Sequence, residues 1–116
     1  MLTSDAVRLR HVLDAAREAI EFSKGCRRED LDKDRKLGLA MVRLLEVIGE
    51  AARGVSREFR EAHPDIEWSK MAGMRDRLIH GYYDVNMNVV WETVQGDLPP
   101  LVSKLARLVA SETEPQ

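Results

Sequence analysis

Apolar residues recur in steps of three and four along most of this chain, and that period restricts the fold more than any other feature. Leu37, Met41, Leu44, Leu45, Ile48 and Ala52 fall on one broad face of a helix. Ala6, Leu9, Leu13, Ala16 and Ile20 define a second such stripe near the start. No stretch of useful length alternates apolar and polar residues as a half-buried strand would, and no internal repeat or low-complexity tract is present. Aromatic residues make up only 5%, which also favours helices over sheet.

Local punctuation divides the pattern into elements. Ser4 can cap a first helix running to about Lys24, which Gly25 ends. Cys26 to Asp34 is a charged connection with room for a helical turn, and a long second helix runs from about Asp32 to Gly54. Ser56 caps a short helix, Arg57 to Ala62, which Pro64 must end. The spacing predicts a third helix over about Trp68 to Tyr82 and a polar turn over Asp84 to Asn88. A fourth helix starts near Asn88 and turns Val90 and Val94 inward, with Trp91 beside them. Pro99 and Pro100, after Asp97 as a cap, mark a kink or a new first turn. The helix beyond carries Leu101, Leu105 and Leu108 to about Ala110, and residues 111–116 form a frayed tail. The expectation is one all-α domain over residues 1–116, an antiparallel bundle of four main helices with short extra turns.

Composition excludes several function classes. With 116 residues, 44% apolar and 33% charged, the chain can build a single core without covalent staples. Its net charge of −2 is unlike that of a basic nucleic-acid coat, so any RNA contact must be local. Lys70, Arg75 and Arg77 against Asp76 give such a local excess. The single Cys26 rules out an internal disulfide framework and a cysteine-based zinc site, and it fits a reducing cytoplasm. Met1-Leu2-Thr3-Ser4-Asp5 does not read as a signal peptide, and no apolar run approaches the ~20 residues of a membrane span. A cytoplasmic location away from membranes is expected.

The chemistry concentrates in Arg75-Asp76-Arg77-Leu78-Ile79-His80-Gly81-Tyr82. An arginine can bind the non-bridging oxygens of a phosphate and stabilise the charge that grows on them. An imidazole, with a reference pKa of about 6.5, can take the proton of a ribose 2′-hydroxyl, which then attacks the adjacent phosphate. That reaction needs no metal, and His11, His63 and His80 show no paired ligand spacing. On a regular helix Arg75 and His80 would point roughly 140° apart. Either the helix ends near Gly81 and frees His80, or two copies of the chain pool their residues across a two-fold axis. Asp76 and Arg77 are supporting candidates, with a surface cap or ion pair and a solvated charge as the plain alternatives.

Arg75-Asp76, followed by His80-Gly81-Tyr82, resembles the R-x4-H-x-Y signature of the HepT branch of HEPN-domain proteins. The likeness extends over Leu44 to Ala52, Phe59 to Pro64, Ile66 to Trp68, Gly73 to Arg75, Val90-Trp91 and Asp97 to Pro99. It implies a HEPN bundle that forms a homodimer, and a toxin of a type VII toxin–antitoxin pair acting as a metal-independent RNA endonuclease. Arg75 and His80 would be its catalytic pair. Tyr82 would be the tyrosine that the antitoxin, an MntA-like minimal nucleotidyltransferase, modifies with AMP from ATP. The added bulk and negative charge could then block the phosphate site. ATP and magnesium would belong to that partner, and this chain would carry no cofactor. A non-catalytic HEPN module that presents RNA or a small substrate to a nucleotidyltransferase is the alternative.

Other residues have plainer readings. Glu46 and Glu50 could place a carboxylate at the cleft to orient an arginine, but pairing with Arg43, Arg53 or Arg57 on an exposed face is favoured. Trp68 and Trp91 read as core or dimer-interface residues, and Met71, Met74 and Met87 as packing residues. Tyr83 is the less favoured phenol, Cys26 is incidental, and His11 and His63 have no assigned role.

Overall fold

The computed structural model describes the backbone of residues 3–80 and 84–113 and the side chains of residues 3–79 and 84–111. The first helix, α1, spans Thr3–Ser23. It ends where Gly25 takes φ +75°, a left-handed conformation that lets the Cys26 N–H donate to the Ser23 carbonyl. Ser4 therefore lies inside the first turn and is not the cap. The residue that matters there is Asp5. It is 2% exposed, and its carboxylate accepts from the Ser56 N–H at 2.7 Å and the Ser56 hydroxyl at 2.6 Å.

A single turn, α2 (Asp30–Lys33), precedes α3 (Arg35–Arg53). The expected start at Asp32 is displaced because Asp34 leaves the helical region, at φ −110° and ψ 96°, and caps α3 by accepting from the Leu37 N–H. Ser56 caps α4 (Arg57–Ala62) through the Phe59 N–H, as its sequence position suggests. The same hydroxyl donates to Asp5, so one side chain starts α4 and pins the beginning of α1 to the end of α3. Those two helices are thus antiparallel.

The single helix expected over Trp68 to Tyr82 is two short ones, α5 (Trp68–Ala72) and α6 (Met74–Leu78). Gly73 separates them, and the Lys70 carbonyl left by the break accepts from the Arg77 guanidinium at 3.1 Å. The helix stops at Leu78, where Ile79 turns extended, at φ −112° and ψ 121°. Ile79–His80 (β1) pairs antiparallel with Asp84–Val85 (β2), Ile79 opposite Val85 and His80 opposite Asp84. The expected polar turn at Asp84 is therefore partly a strand. Asn86 closes it: its N–H donates to the Leu78 carbonyl at 2.7 Å, and its side chain caps the next helix.

That helix, α7 (Met87–Glu92), widens into a π turn over Thr93–Asp97 and continues as α8 (Leu98–Thr113). Pro99 and Pro100 have no N–H to donate back, so the preceding carbonyls cannot form regular helical bonds and the turn opens. Asp97 is consequently no cap. Its carboxylate accepts from Lys70 Nζ at 3.1 Å.

The core draws on every long element: Leu9 and Leu13 of α1, Met41, Leu45 and Ile48 of α3, Met74 and Leu78 of α6, Val90 and Val94, and Leu98 and Leu105 of α8. Gly49 of α3 faces the Met71 carbonyl and the Arg75 amide, whereas Gly38, three turns earlier, faces Met87. The segment from α5 to α7 therefore runs antiparallel to α3. Val109 meets Thr3, Ala6 and Val7, so α8 runs antiparallel to α1. The result is the expected all-α antiparallel bundle, with one two-residue ladder among the described residues.

A Cβ on Gly49 would sit 3.1 Å from the Met71 carbonyl oxygen, which is backbone and cannot rotate away. Gly49→Val is expected to cost about 2 kcal/mol through overpacking, measured by urea unfolding. Unchanged stability would mean that α3 and α5 do not meet there.

Candidate functional site

Glu46, Gly49 and Arg53 occupy one stripe of α3, spaced by three and four residues. Gly49 lets the turn between α5 and α6 come against this stripe, and the two charged residues flank α6 on either side of the contact. Glu46 Oε2 lies 3.6 Å from Arg75 Nε, and Arg75 Nη1 lies 3.9 Å from Asp76 Oδ1. Asp76 Oδ2 accepts from Arg53 Nη2 at 3.2 Å. The four side chains form a line of alternating charge. Among the described residues, Arg75 has ion pairs with these two carboxylates, at Nε and at Nη1, and no side-chain hydrogen bond to either. At these distances Arg75 is held by charge attraction more than by hydrogen bonds, so an incoming phosphate can compete for it.

Arg75 lies at a groove of about 510 Å³. Arg35, Leu39, Val42 and Glu46 of α3 line one side, and Ile79, Asp84, Val85 and Met87 line the other. Leu39 is 52% exposed and gives this otherwise charged rim an apolar side chain. His80 follows Ile79 in β1, so the regular-helix angle between positions 75 and 80 no longer applies. The His80 side chain, and Tyr82 and Tyr83 altogether, lie outside the described residues.

Several expectations change here. Glu46 does not pair with Arg43, Arg53 or Arg57; it faces Arg75. Asp76 does form a surface pair, with Arg53 as well as with Arg75. Arg77 is exposed but not simply solvated, since it holds the Lys70 carbonyl. The local cationic excess is largely neutralised from other parts of the chain: Lys70 by Glu67 and Asp97, Arg75 by Glu46. Trp68 is a core residue, as expected. It donates to the His63 carbonyl at 2.9 Å and packs edge-on against Phe59, while His63 lies over the same Phe59 ring at 4.4 Å. Cys26 Sγ lies 3.5 Å from the Phe22 carbonyl. Among the described residues no three His, Cys, Asp or Glu side chains cluster as a metal site, and no helix is long and apolar enough to cross a membrane.

Arg35, Leu39 and Val42 do not stand out in the sequence. With Glu46 they follow a four-three-four spacing that marks a second stripe beside the buried one. That stripe is the only local sign of the groove.

Residues 12–108 match the family model described as "Ribonuclease HepT-like". The chain belongs to this HepT-like family. It is 42% identical over 104 residues to "Putative RNase TTE0752" of Caldanaerobacter subterraneus subsp. tengcongensis, covering 90% of this chain and 93% of that protein. It is 40% identical over 100 residues to "Probable ribonuclease HepT" of Thermococcus cleftensis, covering 86% and 91%. "Putative RNase MJ1216" of Methanocaldococcus jannaschii is 35% identical over 98 residues, with 84% and 81% covered. No solved structure matches the chain. The HepT-like HEPN assignment thus covers the whole frame from α1 into α8, including the Arg75 groove.

Proposed function

We propose that this HepT-like chain is an endoribonuclease that cuts RNA without a metal ion. The observation that carries this reading is the placement of Arg75: exposed, at a groove, held only by ion pairs of 3.6 and 3.9 Å among the described residues, with His80 two residues beyond the end of the same helix. His80 would take the proton of a ribose 2′-hydroxyl. The 2′-oxygen would then bond to the adjacent phosphorus, the bond from phosphorus to the 5′-oxygen would break, and the departing oxygen would take up a proton. Arg75 would neutralise the charge that grows on the non-bridging oxygens. Asp76 and Arg77 would support the site indirectly, Asp76 by tying Arg75 to Arg53 and Arg77 by closing the end of α5.

A homodimer would complete the site. Exposed Leu39, together with Val42 and Met87, gives the groove an apolar edge next to Arg75 that a second copy could cover. In the cell the chain would act as the toxin of a toxin–antitoxin pair, in the cytoplasm where RNA and ATP are present. Its partner would be an MntA-like nucleotidyltransferase. The phenol oxygen of Tyr82 would bond to the α-phosphorus of ATP, lose its proton and release pyrophosphate. AMP at that position, two residues from His80, would carry a phosphate able to compete for Arg75. ATP and magnesium would be bound by the partner.

Purified chain is expected to cleave RNA in EDTA, and Arg75→Ala and His80→Ala should each abolish cleavage. Robust cutting by His80→Ala would refute the catalytic assignment. Incubation with the partner, ATP and magnesium should add AMP to the intact mass and silence the nuclease. AMP addition that persists in Tyr82→Phe would refute the assignment of Tyr82.

A further inference from the structure

We infer that Glu46 is the positioning residue of Arg75, fixing the guanidinium so that its outward N–H donors stay available to the RNA phosphate. This rests on the ribonuclease reading above and adds a residue to it. Glu46 does not touch the reacting atoms and acts only through Arg75.

Three observations converge on this role. Arg75 is long, its side chain is 49% exposed, and its own helix offers it one ion pair, to Asp76 at 3.9 Å, longer than that to Glu46. Glu46 is less exposed, at 27%, and it projects from a buried helix of the frame. Among the described residues its one ion pair is with Arg75, through Nε rather than through the Nη groups. The backbone geometry supports the pairing. Gly49, one turn beyond Glu46, brings α3 to the Arg75 amide, where a Cβ on Gly49 would lie 3.9 Å from that nitrogen. Both ends of the Arg75 side chain are therefore referred to the same short segment of α3.

The chemistry gives the contact its value. A guanidinium offers five N–H donors in a planar fork. A carboxylate near Nε and another near Nη1, both beyond hydrogen-bond distance, still leave the outward N–H donors of the fork for an anion. Losing the Nε anchor frees the fork to rotate, and small misplacements of a charge-stabilising group slow a reaction more than they weaken binding. The opposite role is also physically distinct: a carboxylate that merely competes with phosphate would, once removed, tighten RNA binding and speed cleavage. Glu50, one turn along α3, is exposed and has no ion pair among the described residues, so it serves as a matched control.

The test measures kcat and KM on a fluorescent RNA oligonucleotide, together with the NMR signal of the Arg75 Nε–H in the 15N-labelled full chain. Glu46→Ala is expected to lower kcat about tenfold or more with KM unchanged or reduced. Glu46→Asp, which keeps the charge, should recover part of that loss, Glu46→Gln, which keeps the shape without the charge, should not, and Glu50→Ala should match the unaltered chain. In an Arg75→Lys background, which has no Nε–H to hold, Glu46→Ala should add less than about twofold. The Nε–H signal should exchange with water faster in Glu46→Ala and Glu46→Gln than in the unaltered chain and in Glu46→Asp. Unchanged kcat, a raised kcat, or an Nε–H signal indifferent to Glu46 would each overturn the inference. The NMR measurement needs no cleavage. Failure of the unaltered chain to cut RNA would therefore overturn the ribonuclease reading, while the Glu46–Arg75 contact would still be judged on its own signal.

Discussion

The close approach of α3 to the turn between α5 and α6 at Gly49 is the contact on which the candidate site depends. It brings the backbone of Met71 and Arg75 against a helix face that carries no side chain at that point. Helices separated by side chains pack ~8–10 Å apart, and a glycine at the crossing permits less. Once that distance is short, Glu46 and Arg53, one turn to either side, can reach α6. The line Glu46–Arg75–Asp76–Arg53 follows from it. The buried core sets where α3 and α6 lie, through Leu45, Ile48, Met74 and Leu78, but the missing side chain at position 49 sets how near their charges come.

A site built this way is nearly neutral, and its electrostatics differ from those of a nucleic-acid track. Lys70, Arg75 and Arg53 each have carboxylate partners contributed by other elements. The chain as a whole carries a net charge of −2. Extended phosphate binding needs several uncompensated cations, and its affinity falls steeply with salt. Here the compensation leaves no such track among the described residues, and the proposed chemistry asks only for short-range selection of one phosphate by Arg75.

Much of the frame was legible because its signals are local. Gly25 ends α1, Ser56 starts α4, and the three-four apolar stripes mark α1 and α3 to within a few residues. The motif around Arg75 and the blocks about it carried the family, which the comparisons establish. What could not be read is what depends on distant partners. The break at Gly73 is stabilised by Arg77 reaching the Lys70 carbonyl. Asp97 looks like a cap in sequence but answers Lys70, twenty-seven residues earlier. The end of α6 at Leu78 depends on Asn86, whose N–H takes the Leu78 carbonyl and whose side chain begins α7. The spacing of Glu46 on α3 favours i,i+4 partners on its own helix, whereas its partner, Arg75, comes from an element that only the fold brings near.

In the proposed reaction Arg75 and His80 promote attack by the RNA's own 2′-hydroxyl rather than by water. The chemistry of the ends left by cleavage of a defined RNA oligonucleotide, read by mass spectrometry in EDTA, distinguishes the two. Fragments ending in a 2′,3′-cyclic phosphate, paired with fragments beginning in a free 5′-hydroxyl, are expected, with no cutting when a 2′-deoxynucleotide occupies the scissile position. Fragments with a 5′-phosphate and a 3′-hydroxyl, or continued cutting at the 2′-deoxy position, would contradict that reaction.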